Sequence, residues 1–188
     1  MKILGIMGSP RVKGNTDLLL DEALRGAQSQ GAEVENLIVD KLNIAPCREY
    51  YGCLKDGNCV IRDDMDDIYP KLLNSDIVIV ASPIFFYGVT SQIKALIDRS
   101  QALWARKYVL KQIPPNSSRK GAFIAVGATQ GVKLFDGAIL TVQYFFKCIG
   151  AKYVDELLIQ GVDARGEIKK FPAKLSEAFE LGNRLAQT

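Results

Sequence analysis

The chain reads as an α/β protein: a doubly wound five-stranded parallel sheet in the strand order 2-1-3-4-5. Three observations predict it. Five short apolar, β-rich runs alternate strictly with stretches of helical period along the 188 residues. Runs one, three and four are almost continuously hydrophobic, as strands buried on both faces are. Small-residue loops follow runs one, three and four, and in such a sheet those loops share one rim.

Each element has its own justification. Lys2 to Met7 (KILGIM) is strand one. Asp17 to Gln30 is an amphipathic helix, with Leu20, Ala23, Leu24 and Ala27 on one face. Glu33 to Val39 is strand two. A helix from Asp64 to Leu73 leads to strand three, Ile77 to Ala81. The next helix, Ser91 to Ala105, carries Ile93, Leu96, Ile97 and Ser100 on one side. Ala122 to Val126 is strand four, and Leu134 to Ile149 is a helix stopped by Gly150 as a left-handed cap. Tyr153 to Ile159 is strand five. A last helix starts near Pro172, a favoured first-turn residue. Residues 1–188 read as a single domain of flavodoxin-like topology, with 40–62 a long loop insertion. That topology places a ligand at the carboxyl ends of the strands, beside strands one and three.

The loop after strand one is Gly8-Ser9-Pro10-Arg11-Val12-Lys13-Gly14-Asn15-Thr16. It aims backbone N–H groups and the positive end of a helix dipole at one point, a ready anion site. Ser9, Asn15 and Thr16 add donors, and Arg11 and Lys13 add charge. It is not a dinucleotide fingerprint, since G-x-G-x-x-G is absent. Nor is it a Walker A loop: five residues separate Gly8 from Gly14, and Asn15 stands where the lysine belongs. These donors suit a terminal monophosphate such as that of FMN; an ordinary capped βα turn is the plainer alternative. Strand three ends in Ser82-Pro83-Ile84-Phe85-Phe86-Tyr87-Gly88, which offers aromatic surface and backbone donors to a flat ring. Three adjacent aromatics cannot all point inward, so at least one faces a ligand or a partner. Strand four ends in Gly127-Ala128-Thr129-Gln130-Gly131, where backbone can approach a ring closely.

On these residues the chain resembles the NADPH-dependent FMN reductases, and within them the iron–sulfur flavoprotein branch. The resemblance is carried by GSPRVKGNT (Gly8–Thr16), by IAPC with Cys53 and Cys59, by Asp63–Met65, and by SPIFFYGVTSQIKALIDR (Ser82–Arg99). It implies FMN held at the phosphate by Ser9, Arg11, Asn15 and Thr16, with Gly14 shaping that loop. It implies a ring site at Pro83, Ile84, Phe85, Phe86, Tyr87 and Gly88, with Thr129, Gln130 and Gly131 beside it. It also implies a homodimer or homotetramer with FMN near the subunit boundary.

The long loop holds Cys47, Cys53 and Cys59, while Cys148 sits apart on a helix. The branch's compact cysteine run is matched at three positions, and its second position is Tyr50. Iron–sulfur clusters take four thiolates, so the missing ligand weighs against a cluster. Asp56, Asn58 or Asp63 in place of Tyr50, zinc, a disulfide and a bare loop all stay open. A bare loop would cover the flavin or form a subunit contact. Asp63, Asp64, Asp66 and Asp67 follow; a capped helix start explains them better than a divalent-metal site.

Composition sets the outer limits. No run of 18 apolar residues exists, so no membrane span is expected, and the chain is read as cytoplasmic. A net charge of +3 makes no case for nucleic acid. Arg106, Lys107, Lys111, Arg119 and Lys120 bracket a Pro-Pro pair, and read as a solvated basic face or as an attraction for NADPH phosphates. There is no histidine, which excludes Ser–His–Asp and Cys–His hydrolases and His-ligated metals. A flavin survives that exclusion because it brings its own reactive atom. The expectation is an NAD(P)H oxidoreductase in which hydride passes to FMN and electrons then pass to a quinone, a flavin or another small acceptor. No side chain is required as acid or base. The rivals are an electron relay from a ferredoxin-like donor and a cysteine-based redox sensor.

Overall fold

A computed structural model describes residues 1–114 and 118–187. Five parallel strands form one sheet: β1 (Lys2–Met7), β2 (Glu33–Ile38), β3 (Ile77–Pro83), β4 (Lys120–Gly127) and β5 (Lys152–Gln160). Their order is β2-β1-β3-β4-β5, all pairs parallel, as the sequence predicts. The helices are α1 (Asn15–Ser29), α2 (Cys53–Asp56), α3 (Met65–Asn74), α4 (Ser91–Arg99), α5 (Gln101–Trp104), α6 (Asp136–Ile149) and α7 (Pro172–Ala186). Short 3-10 turns lie at Val39–Lys41 and Glu167–Lys170.

The period of two along each strand sorts its side chains into two cores. Leu4, Ile6, Val78, Val80, Phe123 and Ala125 pack with α3 to α6 on one face. Ile3, Met7, Ile77, Ile79, Ile124 and Val126 pack with α1 and α7 on the other. Burying a side chain such as Phe123 contributes about 1.5–3 kcal/mol, and both faces of the central strands gain it. α1 and α7 approach each other through Gly26 and Gly182. A Cβ on Gly26 would run into the Phe179 carbonyl, and one on Gly182 into that of Ala23.

Several boundaries differ from the sequence reading: β3, β4 and β5 run one or two residues longer at one or both ends, and α6 begins at Asp136 rather than Leu134. α1 begins two residues early, at Asn15, and β2 stops at Ile38 before a 3-10 turn. The long helix expected from Ser91 to Ala105 is broken. Ser100 ends α4, α5 follows, and Ala105–Val109 winds as a π-helix, a form often found at functional sites. Gly150 is the left-handed cap of α6, and Pro172 opens α7. Within the expected basic face, Arg106 donates to Gly57 O and Asn58 Oδ1, Lys107 to Lys147 O, and Arg119 to Leu72 O and Leu73 O. Pro115 lies outside the described residues.

Candidate functional site

Parallel pairing brings the carboxyl ends of β1, β3, β4 and β5 to one rim. A narrow cleft there is lined by Ser9, Arg11, Gly14, Asn15 and Thr16 from the first loop and by Pro83, Ile84 and Phe85 from the second. Val126 and Ala128 form the third side. The fourth comes from Val162, Asp163 and Arg165 after β5.

The first loop is built by its own hydrogen bonds. Ser9 Oγ accepts from Arg11 N at 3.1 Å, and Gly14 N donates to Arg11 O at 3.0 Å. A Cβ on Gly14 would stand 2.8 Å from that carbonyl oxygen, so this fold of the loop requires glycine. Lys13 takes a left-handed φ of 57° while its N–H reaches Asp17 at 2.7 Å. Gly14 is the N-cap of α1 and has no side chain to cap it. The helix therefore starts at the cleft, lined there by Asn15 and Thr16, with no side-chain cap on its first-turn N–H groups; Asp17, the acidic first-turn residue, accepts from Lys13 N. These donors, with the Arg11 and Arg165 cations, fit a phosphate monoester such as that of FMN.

Asn15 has a role the sequence reading missed. Its carboxamide donates to Ala164 O at 3.0 Å and accepts from Ile168 N at 3.1 Å. The side chain is thus a structural tie between α1 and the loop after β5. Arg165, which donates to Val12 O at 2.5 Å, was also missed. Its signal was positional: in a doubly wound sheet every strand's carboxyl loop reaches the same rim.

The second loop closes on itself. Phe85 and Gly88 exchange both backbone hydrogen bonds at 3.0 Å, with Phe86 and Tyr87 at the tip in left-handed φ of 49° and 62°. This is a type I′ turn, which normally takes Asn-Gly. Closing it uses the Phe85 and Gly88 N–H groups, so the donors left for a ring are those of Phe86, Tyr87 and Val89. All three aromatics are exposed, Phe86 completely. Ser82 and Thr90 lock this loop to the first one. Thr90 Oγ1 donates to Gly8 O at 2.7 Å, Thr90 N donates to Ser82 Oγ at 3.2 Å, and Thr90 caps α4 through Ile93 N.

Phe86, Tyr87, Gly88, Thr129, Gln130 and Gly131 lie outside the cleft itself, as an adjoining rim. Tyr87 bridges it: its hydroxyl lies beside Gly131 and its carbonyl beside Gly137. Gln160 donates to Gly131 O at 3.2 Å.

A second cavity, about 460 Å³, is lined by Cys47, Cys53 and Cys59 with Tyr50, Tyr51, Val60 and Gln101 among others. All four cysteines are free thiols here, and burial pushes the thiols of Cys53 and Cys148 up. The loop around this cavity is fastened by a buried guanidinium. Arg99 donates to Ala45 O (2.9 Å), Ile61 O (3.0 Å) and both oxygens of Asp63 (2.5 and 3.0 Å). Burial works against the Asp63 carboxylate, but the donors Arg99, Ala45 N and Met65 N outweigh it and hold its pKa below the usual range. Asp63 is therefore the counter-ion of Arg99 as well as the acceptor of a first-turn N–H of α3, and capping alone does not describe it. Tyr69 OH donates to Arg99 O at 2.9 Å, and burial pushes its pKa up. Arg99 was legible only as a charge on the apolar face of α4, at i+3 from Leu96.

The cysteine loop does not fit an iron–sulfur cluster. Its second position is the exposed Tyr50, both Asp63 oxygens are engaged by Arg99, and Cys148 lies on α6 beside Lys107. Among the described residues no group of three or more His, Cys, Asp or Glu is arranged to hold a metal ion, the acidic run included.

Fold and cleft together define a doubly wound α/β protein with a cleft at the point where its strand order reverses, lined by residues that suit a phosphate-bearing ligand. The comparisons narrow this class. Residues 1–146 match the family model of the NADPH-dependent FMN reductases. The chain belongs to that family. It is 38% identical over 130 residues to an iron–sulfur flavoprotein of Methanocaldococcus jannaschii, covering 69% of this chain and 64% of that protein. The chain thus spans just under two thirds of that relative's length. An iron–sulfur flavoprotein of Archaeoglobus fulgidus is 38% identical over 141 residues, covering 74% of this chain and 69% of its own. Among solved structures, an NAD(P)H:quinone oxidoreductase from Methanothermobacter marburgensis superposes with a TM-score of 0.78 over 98% of this chain and 96% of its own. At 15% identity that likeness speaks for the fold alone. No helix among the described residues is long and apolar enough to cross a membrane.

Proposed function

We propose that this chain is an FMN-dependent NAD(P)H oxidoreductase acting on a small electron acceptor, a quinone or a flavin being the leading candidates. The observation that carries the reading is the junction of four strand-end loops at an uncapped helix N-terminus flanked by Arg11 and Arg165. FMN, when bound, would supply the redox chemistry that links NAD(P)H to the acceptor.

The protein's part is holding and positioning. The N–H groups of Asn15, Thr16 and Asp17 and the Ser9 hydroxyl hold the phosphate, and Arg11 and Arg165 neutralise it. Pro83, Ile84 and Phe85 give the cofactor an apolar wall. The N–H groups of Phe86, Tyr87 and Val89 would be the donors available to a flavin ring at this loop. The exposed tip of this loop leaves one side open to nicotinamide and acceptor in turn. No general acid or base is assigned. The alternative is an electron relay from a ferredoxin-like donor through the flavin; a full set of cluster ligands would support it, and Tyr50 in the cysteine loop weakens it. The implied homodimer or homotetramer would be built around the exposed aromatic turn, and a cytoplasmic location accords with this redox chemistry.

A visible spectrum of protein prepared without air tests cofactor binding, and stopped-flow mixing with NADPH or NADH tests turnover. Bleaching of a flavin band within the turnover time is expected. Colourless protein that FMN does not reconstitute would overturn the proposal.

A further inference from the structure

The thiols of the cysteine loop have no part in the reaction above, yet the fold gathers them. Cys47, Cys53 and Cys59 line one cavity, and the Cys53 thiol is within electrostatic reach of Cys59 first and Cys47 second. Cys53 and Cys59 also share an apolar seat against the main core. The backbone brings them together: Gly57 N donates to Cys53 O at 2.9 Å, and Gly57, at φ 84°, turns the chain back towards Cys59. That turn is fastened from outside. Arg106, on the π-helical segment, donates to Gly57 O and to Asn58 Oδ1, both at 2.8 Å. Arg99 ties the two ends of the loop through Ala45 and Ile61. Two arginines thus do the holding that a cluster or zinc would otherwise do, and the thiols are left free for chemistry of their own.

We infer that Cys53 and Cys59 form a reversible dithiol–disulfide site, a place of oxidative modification by a hydroperoxide. One thiol attacks a peroxide oxygen; the O–O bond breaks, water leaves, and a sulfenic acid forms. The second thiol attacks that sulfur; the S–S bond forms and a second water leaves. Two thiols and one hydrogen peroxide give one disulfide and two waters, the sulfurs being oxidised and the peroxide oxygens reduced. A dithiol reductant reverses the step.

The sequence supplies the test. Trypsin cuts after Arg48, Lys55 and Arg62, so Cys53 falls in peptide 49–55 and Cys59 in 56–62. Full-length protein is prepared without air, assayed for iron, sulfide and zinc, exposed to hydrogen peroxide, alkylated and digested. The expected result is peptide 49–55 joined to 56–62, parted by dithiothreitol, with no stoichiometric metal in the starting protein. Four alkylated thiols after peroxide, a crosslink through Cys47 or Cys148 instead, or a metal held by these thiols would each overturn the inference. The measurement is made on the unaltered chain, so no variant has to fold. It is independent of the flavin spectrum, so failure here leaves the proposed function standing and the reverse holds too.

Discussion

Replacing Arg99 by Met probes the joint between the cysteine loop and the body of the fold. The two side chains of the pair are 0% and 4% exposed, so this is a buried ion pair and solvent screening is slight. Met keeps much of the stem volume but removes four hydrogen bonds, leaving the Asp63 carboxylate buried with only the Ala45 and Met65 N–H groups. Breaking one side of a buried pair costs about 3–5 kcal/mol. At about 2–4 °C per kcal/mol for a chain of this size, Tm should fall by roughly 6–20 °C. Asp63→Asn with Arg99→Met should be less damaging than the two single losses together, with a coupling of about 0.5–3 kcal/mol. Urea unfolding followed by circular dichroism reads all three variants. Because the Asp63 pKa is depressed in the folded state, its contribution is present above the unfolded value of about 3.9 and is lost as pH falls through the lower folded value. Stability of the parent should therefore drop steeply below about pH 4, and that of Asp63→Asn less so. An Arg99→Met protein within about 1 kcal/mol of the parent would refute the reasoning, since that is the worth of a surface pair.

Four further variants test the cleft and its surroundings. Gly14→Ala forces a Cβ against the Arg11 carbonyl and should weaken FMN binding at least about tenfold by fluorescence titration, a loss of about 1.4 kcal/mol. Gly31→Ala is the control: its φ of 81° makes alanine strained, but open space surrounds it, and affinity should not change. Tyr87→Gly relieves a left-handed aromatic and should stabilise the cofactor-free protein by about 1–2 kcal/mol in urea, while lowering turnover if the turn shapes the acceptor site. Asn15→Ala should destabilise the cofactor-free protein by about 1–3 kcal/mol, because Ala164 O and Ile168 N lose their partner; no change there would mean the carboxamide serves only the ligand.

Much of this was legible in the chain. Alternating runs, the Gly8–Thr16 turn and the cap residues Gly150 and Pro172 are local signals, and local sterics and dipoles act through neighbouring residues, so strand order and the tight turn after β1 could be read directly. The shortfall lies where distant residues meet. Asn15 looks like a ligand donor until Ala164 and Ile168 are seen beside it. Arg165 looks like a surface charge until β5 delivers it to the rim. Asp63 looks like a helix cap until Arg99 arrives from α4.

The amino-acid order by itself determined the sheet, its helices and the rim that gathers the strand-end loops, because periodicity, turn chemistry and the helix dipole are properties of contiguous residues. Only the tertiary structure decided what the polar side chains do. A buried charge or amide must find partners wherever the packing supplies them, and those partners stand as far as 153 residues away, as Asn15 and Ile168 do.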